Sequence, residues 1–539
     1  MTDEEAEKRR GDLGYNHNLR VGLDGFMAFS YSFSGSGCIL TLILLFSYGL
    51  GTGGPLAMVW GWLTVVSMTM IVVINLAEMC SAYPHAGSIY IWSGNVAPRE
   101  YAPFFSYWTA IWLLISYIAN SAALAYGVAQ FLNSALAGTY NDYVAVGVSF
   151  AVLLVWCLFN LLKIEYIGWL ANLSAGIQIT LWMALILVLT SMCKSFNTTE
   201  YVFFHYNNTS GFTDMAYVLT IGLLYSLAGN DGYDGSAAMA EETQGADVSA
   251  PYSLIYTVLA NGLCGFVLTL VLLYTVQDED GAIAAENGAV EVVRQVGGSE
   301  ISLVFAWILV VAEFFCGLSF ITVATRLVYA LSRDHAIIPY GDFFSVVDED
   351  SGVPVRAMVL LAAMTSVLLL LPLMSAEGAT AFYTIVEVSS FAFQISIGIP
   401  IFLKVFFLCP YAEQALRIAP FSLGQWSWYF GTVAFPYQIA VSAILLLPTL
   451  SPVDALNFNY TSAVAGVVII LGTLNWELNS KFHFKGPKRS DDDMYEEGDA
   501  YDDRMGLGDT GEADFSPRGE GSNGKIAGAG EGDEQKASV

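Results

Sequence analysis

The chain has 539 residues, of which 55% are hydrophobic and only 13% are charged. A soluble globular domain carries about 25% charged residues, so this composition excludes the soluble class and indicates a protein that crosses a membrane many times. The formal net charge of −28 says little about a substrate, because the tail after Asn475 contributes part of it.

Twelve apolar runs follow a charged segment of residues 1–20, which does not resemble a cleavable signal peptide and is expected to be cytoplasmic. A helix needs about 20 apolar residues to cross a bilayer. The sequence therefore predicts an all-α integral membrane protein. The runs, numbered here as spans 1 to 12, cover approximately residues 21–49, 55–82, 103–133, 142–163, 166–192, 213–240, 251–276, 301–331, 355–374, 381–408, 425–449 and 457–476.

Basic residues and glycosylation sequons indicate the same orientation. If both termini are cytoplasmic, Lys194 and Arg294 are the only two of the 21 basic residues that fall outside. This distribution follows the positive-inside rule. The four sequons then also lie outside, where they are candidate N-glycosylation sites; they are at Asn197, Asn207, Asn208 and Asn459.

Span 1 contains an interruption of four small residues, Ser34, Gly35, Ser36 and Gly37. Two glycines and two serines lower the helix propensity and leave backbone amides exposed. Small residues also allow close packing of helices in membranes, so packing is an alternative to a break in the helix.

Span 6 contains a second interruption, Gly229–Gly235 (GNDGYDG). An ionised Asp near the bilayer centre costs roughly 2.5 kcal/mol or more, and irregular backbone survives there only if it is buried in protein or lines a cavity. Breaks in spans 1 and 6 are what two five-helix halves would show. Such a pair is the best indication of a transporter binding site that a sequence can give.

Further motifs are spread over about residues 20–475. They are Gly53–Pro55, Val59–Trp62, Ala77–Pro84, Ala86–Trp92, Gly232–Thr243, Ala250–Pro251, Arg326, Ser332–Asp334, Pro339 and Pro354. With these motifs the chain resembles the amino acid–polyamine–organocation (APC) superfamily, and within it the eukaryotic amino acid, choline and GABA permeases.

The resemblance implies a twelve-helix transporter domain over residues 21–480. It would hold a 5+5 inverted repeat with broken helices 1 and 6 (repeat one 21–192, repeat two 213–408) and two extra helices (425–476). It also implies that Ser34 to Gly37 bind a substrate carboxylate on backbone amides, while carbonyls and a gating aromatic of span 6 receive the amine. The implied substrate residues of span 6 are Tyr225, Gly229, Asn230, Asp231 and Gly232.

The chain departs from the family pattern at Asn230-Asp231, where the family usually has an aromatic or small residue. Asp231 can therefore pair directly with a substrate ammonium. The alternatives are that Asp231 caps the second half of the helix or binds a proton.

The sequence does not identify the coupling ion. Ser319, Thr322 and Thr325 have helical spacing in span 8, where transporters of this fold bind Na⁺, although ordinary packing explains them equally well. Span 5 offers Asn172 and Gln178 but no interior Lys that would replace Na⁺.

Glu313 in span 8 and Glu387 in span 10 are interior acids that either carry a proton or hydrogen bond between helices. Apart from a co-transported H⁺ or Na⁺, no cofactor or metal is expected. Three acids near the cytoplasmic ends, Glu78, Glu241 and Glu242, are expected to act as conformational latches by pairing with basic residues, namely Arg99, Arg326 or Arg333.

The leading functional hypothesis is a secondary active transporter that moves amino acids or related organic amines by alternating access, with polyamine or choline as an alternative substrate class. A non-transporting amino-acid sensor on the same fold is the alternative. It would suit the acidic tail of residues 481–539, which is predicted to be disordered and cytoplasmic. An enzyme is not expected, because all five histidines lie at span ends, in loops or in the tail.

The expected partners are a small-molecule substrate and the lipid bilayer of the plasma membrane, without nucleic acid. A covalent heavy-chain partner, which some members of the family have, is not expected. The connection between spans 3 and 4, about Ser134 to Asn141, contains no cysteine.

Overall fold

The computed structural model describes residues 21–136, 138, 141–336, 340–348, 352–373, 378–454 and 457–489. Residues 1–20, the acidic tail from residue 490 and Pro339 lie outside these ranges, so the predictions made for them stay predictions. The described ranges are helical and contain no β-strand beyond two isolated bridges. Ten of their helices are long and apolar enough to cross a membrane.

The first half of the chain contains spans 1 to 5. Span 1 is divided into Gly25–Ser36 and Cys38–Leu44. Spans 2 to 5 are Gly54–Ala82, Ala102–Ala135, Asp142–Phe159 and Ile164–Met192. Short helices outside the spans are Phe46–Gly51, Ile89–Val96 and Thr199–Phe204.

The second half begins with span 6, which is divided into Met215–Ile221, Leu224–Ala228 and Gly235–Ala238. Spans 7 to 12 are Ala246–Thr275, Ser299–Arg333, Val355–Leu368, Gly378–Phe406, Ser427–Ile444 and Thr461–Asn475. Short α-helices lie at Glu279–Ala284, Gly288–Gly297, Gly341–Phe344, Pro410–Ile418 and Lys481–His483. The prediction of an all-α membrane protein with about twelve spans is confirmed.

Both predicted helix breaks are present. Span 1 stops at Ser36, and Gly37 has φ 57°, in the left-handed region that favours glycine. Span 6 stops at Ala228 and resumes at Gly235, with Gly232 at φ 72° between them. Span 3 packs extensively against spans 8 and 10, so both breaks lie inside a bundle rather than against lipid.

A buried ion pair joins spans 2 and 10 at their predicted cytoplasmic ends. Lys404 Nζ lies 2.6 Å from Glu78 Oε2, and each side chain is 1% exposed. Lys404 also donates to Asn75 Oδ1, and Glu78 accepts from Leu423 N and Ser427 Oγ. The predicted pairing of Glu78 with an arginine is therefore wrong: Lys404, distant in sequence, supplies the cation.

Two of the four sequon asparagines have no free amide hydrogen for a glycan. Asn197 Nδ2 donates to Leu273 O and Val276 O, and Asn459 Nδ2 donates to Leu445 O and Leu447 O. Asn459 is also only 5% exposed. Asn207 and Asn208 each donate one hydrogen from Nδ2, which leaves a second for substitution, so glycosylation at these two sites stays a prediction.

Removal of the cation from this buried ion pair is expected to destabilise the protein strongly. Lys404→Met leaves the Glu78 carboxylate buried without a counter-charge, so we expect a loss of about 3–5 kcal/mol in stability. Thermal unfolding of the detergent-solubilised protein measures it. The matched control is Lys481→Met, whose exposed pair with Glu477 is worth at most about 1 kcal/mol. Equal melting temperatures for the two variants would contradict the account.

The sequon geometry predicts which sites accept a glycan. In a variant with Asn207→Gln and Asn208→Gln, expressed in a eukaryotic cell, endoglycosidase treatment should leave electrophoretic mobility unchanged. The wild-type chain serves as the comparison. A remaining mobility shift in the double variant would show that Asn197 or Asn459 is modified, against the hydrogen bonding described.

Candidate functional site

The two helix breaks lie in direct contact. Gly232 comes so close to span 1 that a Cβ on it would lie 3.4 Å from Ser36 Cα. A Cβ on Gly235 would lie 3.1 Å from Ser32 Cα, and Ser236 N donates to Ser32 Oγ at 2.6 Å. The glycines of span 6 therefore allow the two interrupted backbones to approach each other inside the bundle.

The serines of the span 1 break point in two directions. Ser36 Oγ donates to Phe33 O and accepts from Asn261 Nδ2 of span 7. The Ser34 hydroxyl contacts the hydroxyls of Ser174 and Ser319. Ser36 lines the cavity described next, whereas Ser34 faces spans 5 and 8, where Gln178 Nε2 also donates to Ser34 O.

A polar cavity lies beside the junction of the two breaks. Its volume is about 40 Å³, room for about three waters at 10–15 Å³ each. Its polar and charged lining comes from spans 1, 3, 6, 8 and 10 and comprises Ser36, Thr41, Asn120, Asp231, Glu313, Ser389 and Ser390.

Two carboxylates face this cavity, and none of its described lining residues is basic. Asp231 Oδ1 accepts from Gln394 Nε2 at 2.9 Å, while Asp231 Oδ2 and Glu313 Oε2 are buried without a hydrogen-bond partner in the described part of the chain. A buried carboxylate needs a counter-charge or a proton. The cavity is therefore suited to a cation.

Asp234 holds the resumed half of span 6 in place. It occupies the N-cap position of Gly235–Ala238, and its Oδ2 accepts from Tyr117 Oη of span 3 at 2.6 Å. The alternative that Asp231 caps this helix is therefore wrong, because the cap position is three residues later. Asp231 is left to face the cavity.

Of the nine predicted substrate residues, Ser36 and Asp231 line the cavity, whereas Ser34, Gly35, Gly37 and Gly232 belong to the breaks but not to its lining. The other three lie in span 6 and are used elsewhere. Tyr225 Oη pairs with Thr269 of span 7, and Asn230 Nδ2 donates back to Ser226 O within span 6. Gly229 has no room for a side chain, because a Cβ there would lie 3.1 Å from the Trp62 ring. In this conformation all three pack the helix ends rather than line the site.

The cavity also uses residues that the sequence did not single out, namely Thr41, Asn120, Ser389 and Ser390, with Gln394 beside Asp231. These residues lie on helices that are mostly apolar. The four-residue spacing of Ser390 and Gln394 places them on one helical face and is the one signal that was available.

The proposed ion-site residues are only partly brought together. Ser319 reaches span 1 through Ser34, whereas Thr322 donates to Asn160 Oδ1 of span 4 at 2.6 Å. Glu387 lies away from the cavity lining and contacts Thr461 of span 12. Glu313 is thus the one of these residues that lines the cavity.

Two buried ion pairs join helices at the predicted cytoplasmic side. Arg326 donates to both carboxylate oxygens of Glu242, at 3.1 and 3.2 Å. Arg333 donates to Glu241 at 3.1 Å, and His85 Nε2 lies 3.0 Å from the same carboxylate. The predicted pairing of Glu241 and Glu242 with arginines is confirmed.

The start of span 1 is hydrogen bonded to the segment around Glu242. The backbone amides of Gly22 and Leu23 donate to Glu242 O, and Gln244 N donates to Leu23 O. Spans 1, 6 and 8 and the segment around His85 therefore meet in one hydrogen-bonded network.

Comparison with known proteins agrees with this architecture. A family model described as amino acid permease matches residues 24–472. The chain is 30% identical to the amino-acid permease BAT1 of Arabidopsis thaliana, over 89% of this chain and 96% of the relative. It is 25% identical to amino-acid permease 2 of Neurospora crassa (90% and 89% covered) and 24% identical to the choline transporter of Saccharomyces cerevisiae (83% and 80% covered). The resemblance seen in the motifs is confirmed: the chain belongs to the amino acid permease family of the APC superfamily.

Proposed function

We propose that this permease is a secondary transporter that carries amino acids or related organic amines by alternating access. The observation that carries the proposal is the acid-lined cavity where the breaks of spans 1 and 6 meet. Asp231 would receive the substrate ammonium, and the backbone around Ser36 and Gly37 would face its carboxylate. Relatives named as amino-acid permeases and as a choline transporter share an ammonium group among their substrates, which fits this arrangement.

Alternating access requires the cavity to open to each side in turn. The ion pairs of Glu241 and Glu242 join spans 6 and 8 at the predicted cytoplasmic side and would have to separate for the cavity to open there. At about 40 Å³ the cavity is also small, so its lining has to move outward around a substrate. The breaks permit such motion, because non-helical backbone absorbs φ/ψ changes that a continuous helix resists.

Tracer flux separates transport from sensing. The full chain reconstituted into liposomes should accumulate a labelled amino acid or amine with saturable kinetics. Saturable binding without uptake would contradict the transporter hypothesis and favour the sensor. Uptake by the same vesicles, measured with either a proton gradient or a sodium gradient imposed alone, shows which ion drives transport.

Asp231→Asn tests the ammonium contact. The change keeps the shape of the side chain but removes its charge, so we expect cation uptake to fall roughly ten- to a hundredfold, the worth of one charged hydrogen bond. The measurement is initial uptake rate per molecule of protein in the membrane. Asp342→Asn is the matched control, because the Asp342 side chain is 96% exposed in the short helix Gly341–Phe344. Unchanged uptake in Asp231→Asn would remove this residue from the binding site.

The break in span 1 predicts different outcomes for its two glycines. Gly37 has a left-handed φ, and a Cβ on it would lie 2.9 Å from Cys316 Sγ, so Gly37→Ala should abolish uptake. A Cβ on Gly35 would have no neighbour closer than the Phe320 side chain, at 3.8 Å. Gly35→Ala should therefore retain at least half of the wild-type uptake. Uptake normalised to the amount of folded protein in the membrane is the readout. Equal activity of the two variants would mean that the break is not part of the mechanism.

A further inference from the structure

Glu313 is a buried acid that a carrier of single ammonium groups does not need. It is 1% exposed, lines the same cavity as Asp231, and its Oε2 has no hydrogen-bond partner among the described residues. Such a carboxylate is unfavourable at membrane depth unless a cation or a proton joins it. Its position in the cavity makes it accessible to a bound molecule.

The fold makes room for this carboxylate on the opposite helix. A Cβ on Gly127 of span 3 would lie 2.8 Å from Glu313 Oε1. Any other residue at position 127 would therefore push the carboxylate away. Gly127 of span 3 therefore leaves room for the Glu313 carboxylate at this side of the cavity.

The two acids lie near different levels of span 3. Gly232, the neighbour of Asp231, approaches Asn120, since a Cβ on Gly232 would lie 3.8 Å from Asn120 Nδ2. Glu313 approaches Gly127, seven residues further along the helix. At 1.5 Å per residue the two levels are about 10 Å apart.

This separation fits a molecule with two ammonium groups. Two ammonium groups joined by a chain of about three to five carbon atoms can each contact one acid at about 2.8 Å. Basic amino acids and short diamines have this length.

The predicted outer surface favours cations as well. The segment 278–300 contains six acids and one base, Arg294, which is paired with Glu291 at 2.6 Å. It packs over the outer end of span 1, where Gly288 N donates to Ser47 Oγ and Ser47 Oγ donates to Ala282 O. An excess of negative charge at the entrance raises the local concentration of cationic substrates.

We propose that Glu313 is a second cation subsite and that the preferred substrates carry two positive charges, as basic amino acids and short diamines do. One ammonium pairs with Asp231 and the other with Glu313. This inference rests on the proposed transport function and specifies its substrate class.

The test compares substrates that differ in one charge. In liposomes containing the full chain, uptake of L-lysine and of L-norleucine is measured, with 1,4-diaminobutane and 1-aminobutane as competitors. Wild-type protein should show a KM for lysine at least tenfold below that for norleucine. Glu313→Gln should lower the ratio of the norleucine KM to the lysine KM at least fivefold. Glu200→Gln, at an exposed outer position, is the control and should keep the preference.

The outcomes separate the two proposals. If no amino acid or amine is taken up, the transport function itself fails. If norleucine and lysine are transported equally well and Glu313→Gln changes neither, transport stands and the second subsite is overturned. If Glu313→Gln abolishes proton-driven accumulation of both substrates but spares their exchange, Glu313 carries a proton and the inference is likewise overturned.

A second variant covers the case in which Glu313→Gln does not fold. Gly127→Ala displaces the carboxylate without removing it, so it should reduce the preference for lysine over norleucine at least threefold. A preserved preference in folded Gly127→Ala protein would overturn the subsite.

Discussion

The structure depends on one constraint of the bilayer: backbone that is not helical has to be buried in protein or line a cavity at membrane depth. The breaks at Ser36-Gly37 and at Gly229–Asp234 satisfy it jointly, because each lies against the other. Ser32 Oγ accepts from the backbone amide of Ser236, and Tyr117 and Asn261 donate to the side chains of Asp234 and Ser36. The position of the cavity is a consequence of this contact.

The same constraint distinguishes two groups among the buried acids; Asp234, Asp247 and Glu387 belong to neither. Glu78, Glu241 and Glu242 each have a buried or half-buried cation beside them, at the end of the bundle that is predicted to be cytoplasmic. Asp231 and Glu313 have none and face the cavity. The first group joins helices at that end of the bundle. The second group needs a proton or a cation, and in the proposed mechanism a transported cation fills that role.

Much of this arrangement could be predicted from the sequence, for physical reasons. Long apolar runs identify spans, and glycines beside an acid stand out within a span, so the two breaks and the cavity-facing Asp231 were recognised. The orientation of a span about its own axis is harder to predict from the sequence, because an apolar span has no polar face. Tyr225 and Asn230 are therefore assigned to the site from the sequence, although Tyr225 bonds to span 7 and Asn230 bonds back to span 6 itself. Pairings between distant spans, such as Lys404 with Glu78, leave no local pattern and appear only in the folded chain.

The central claim is that a cation binds between the two broken helices and contacts Asp231. A cryo-electron microscopy structure of the full chain with a transported amine at saturating concentration tests it most directly. The account predicts density for the amine in the cavity, with an ammonium nitrogen about 2.8 Å from an Asp231 carboxylate oxygen. Density for the amine at another place, with the Asp231 cavity closed as it is here, would contradict it.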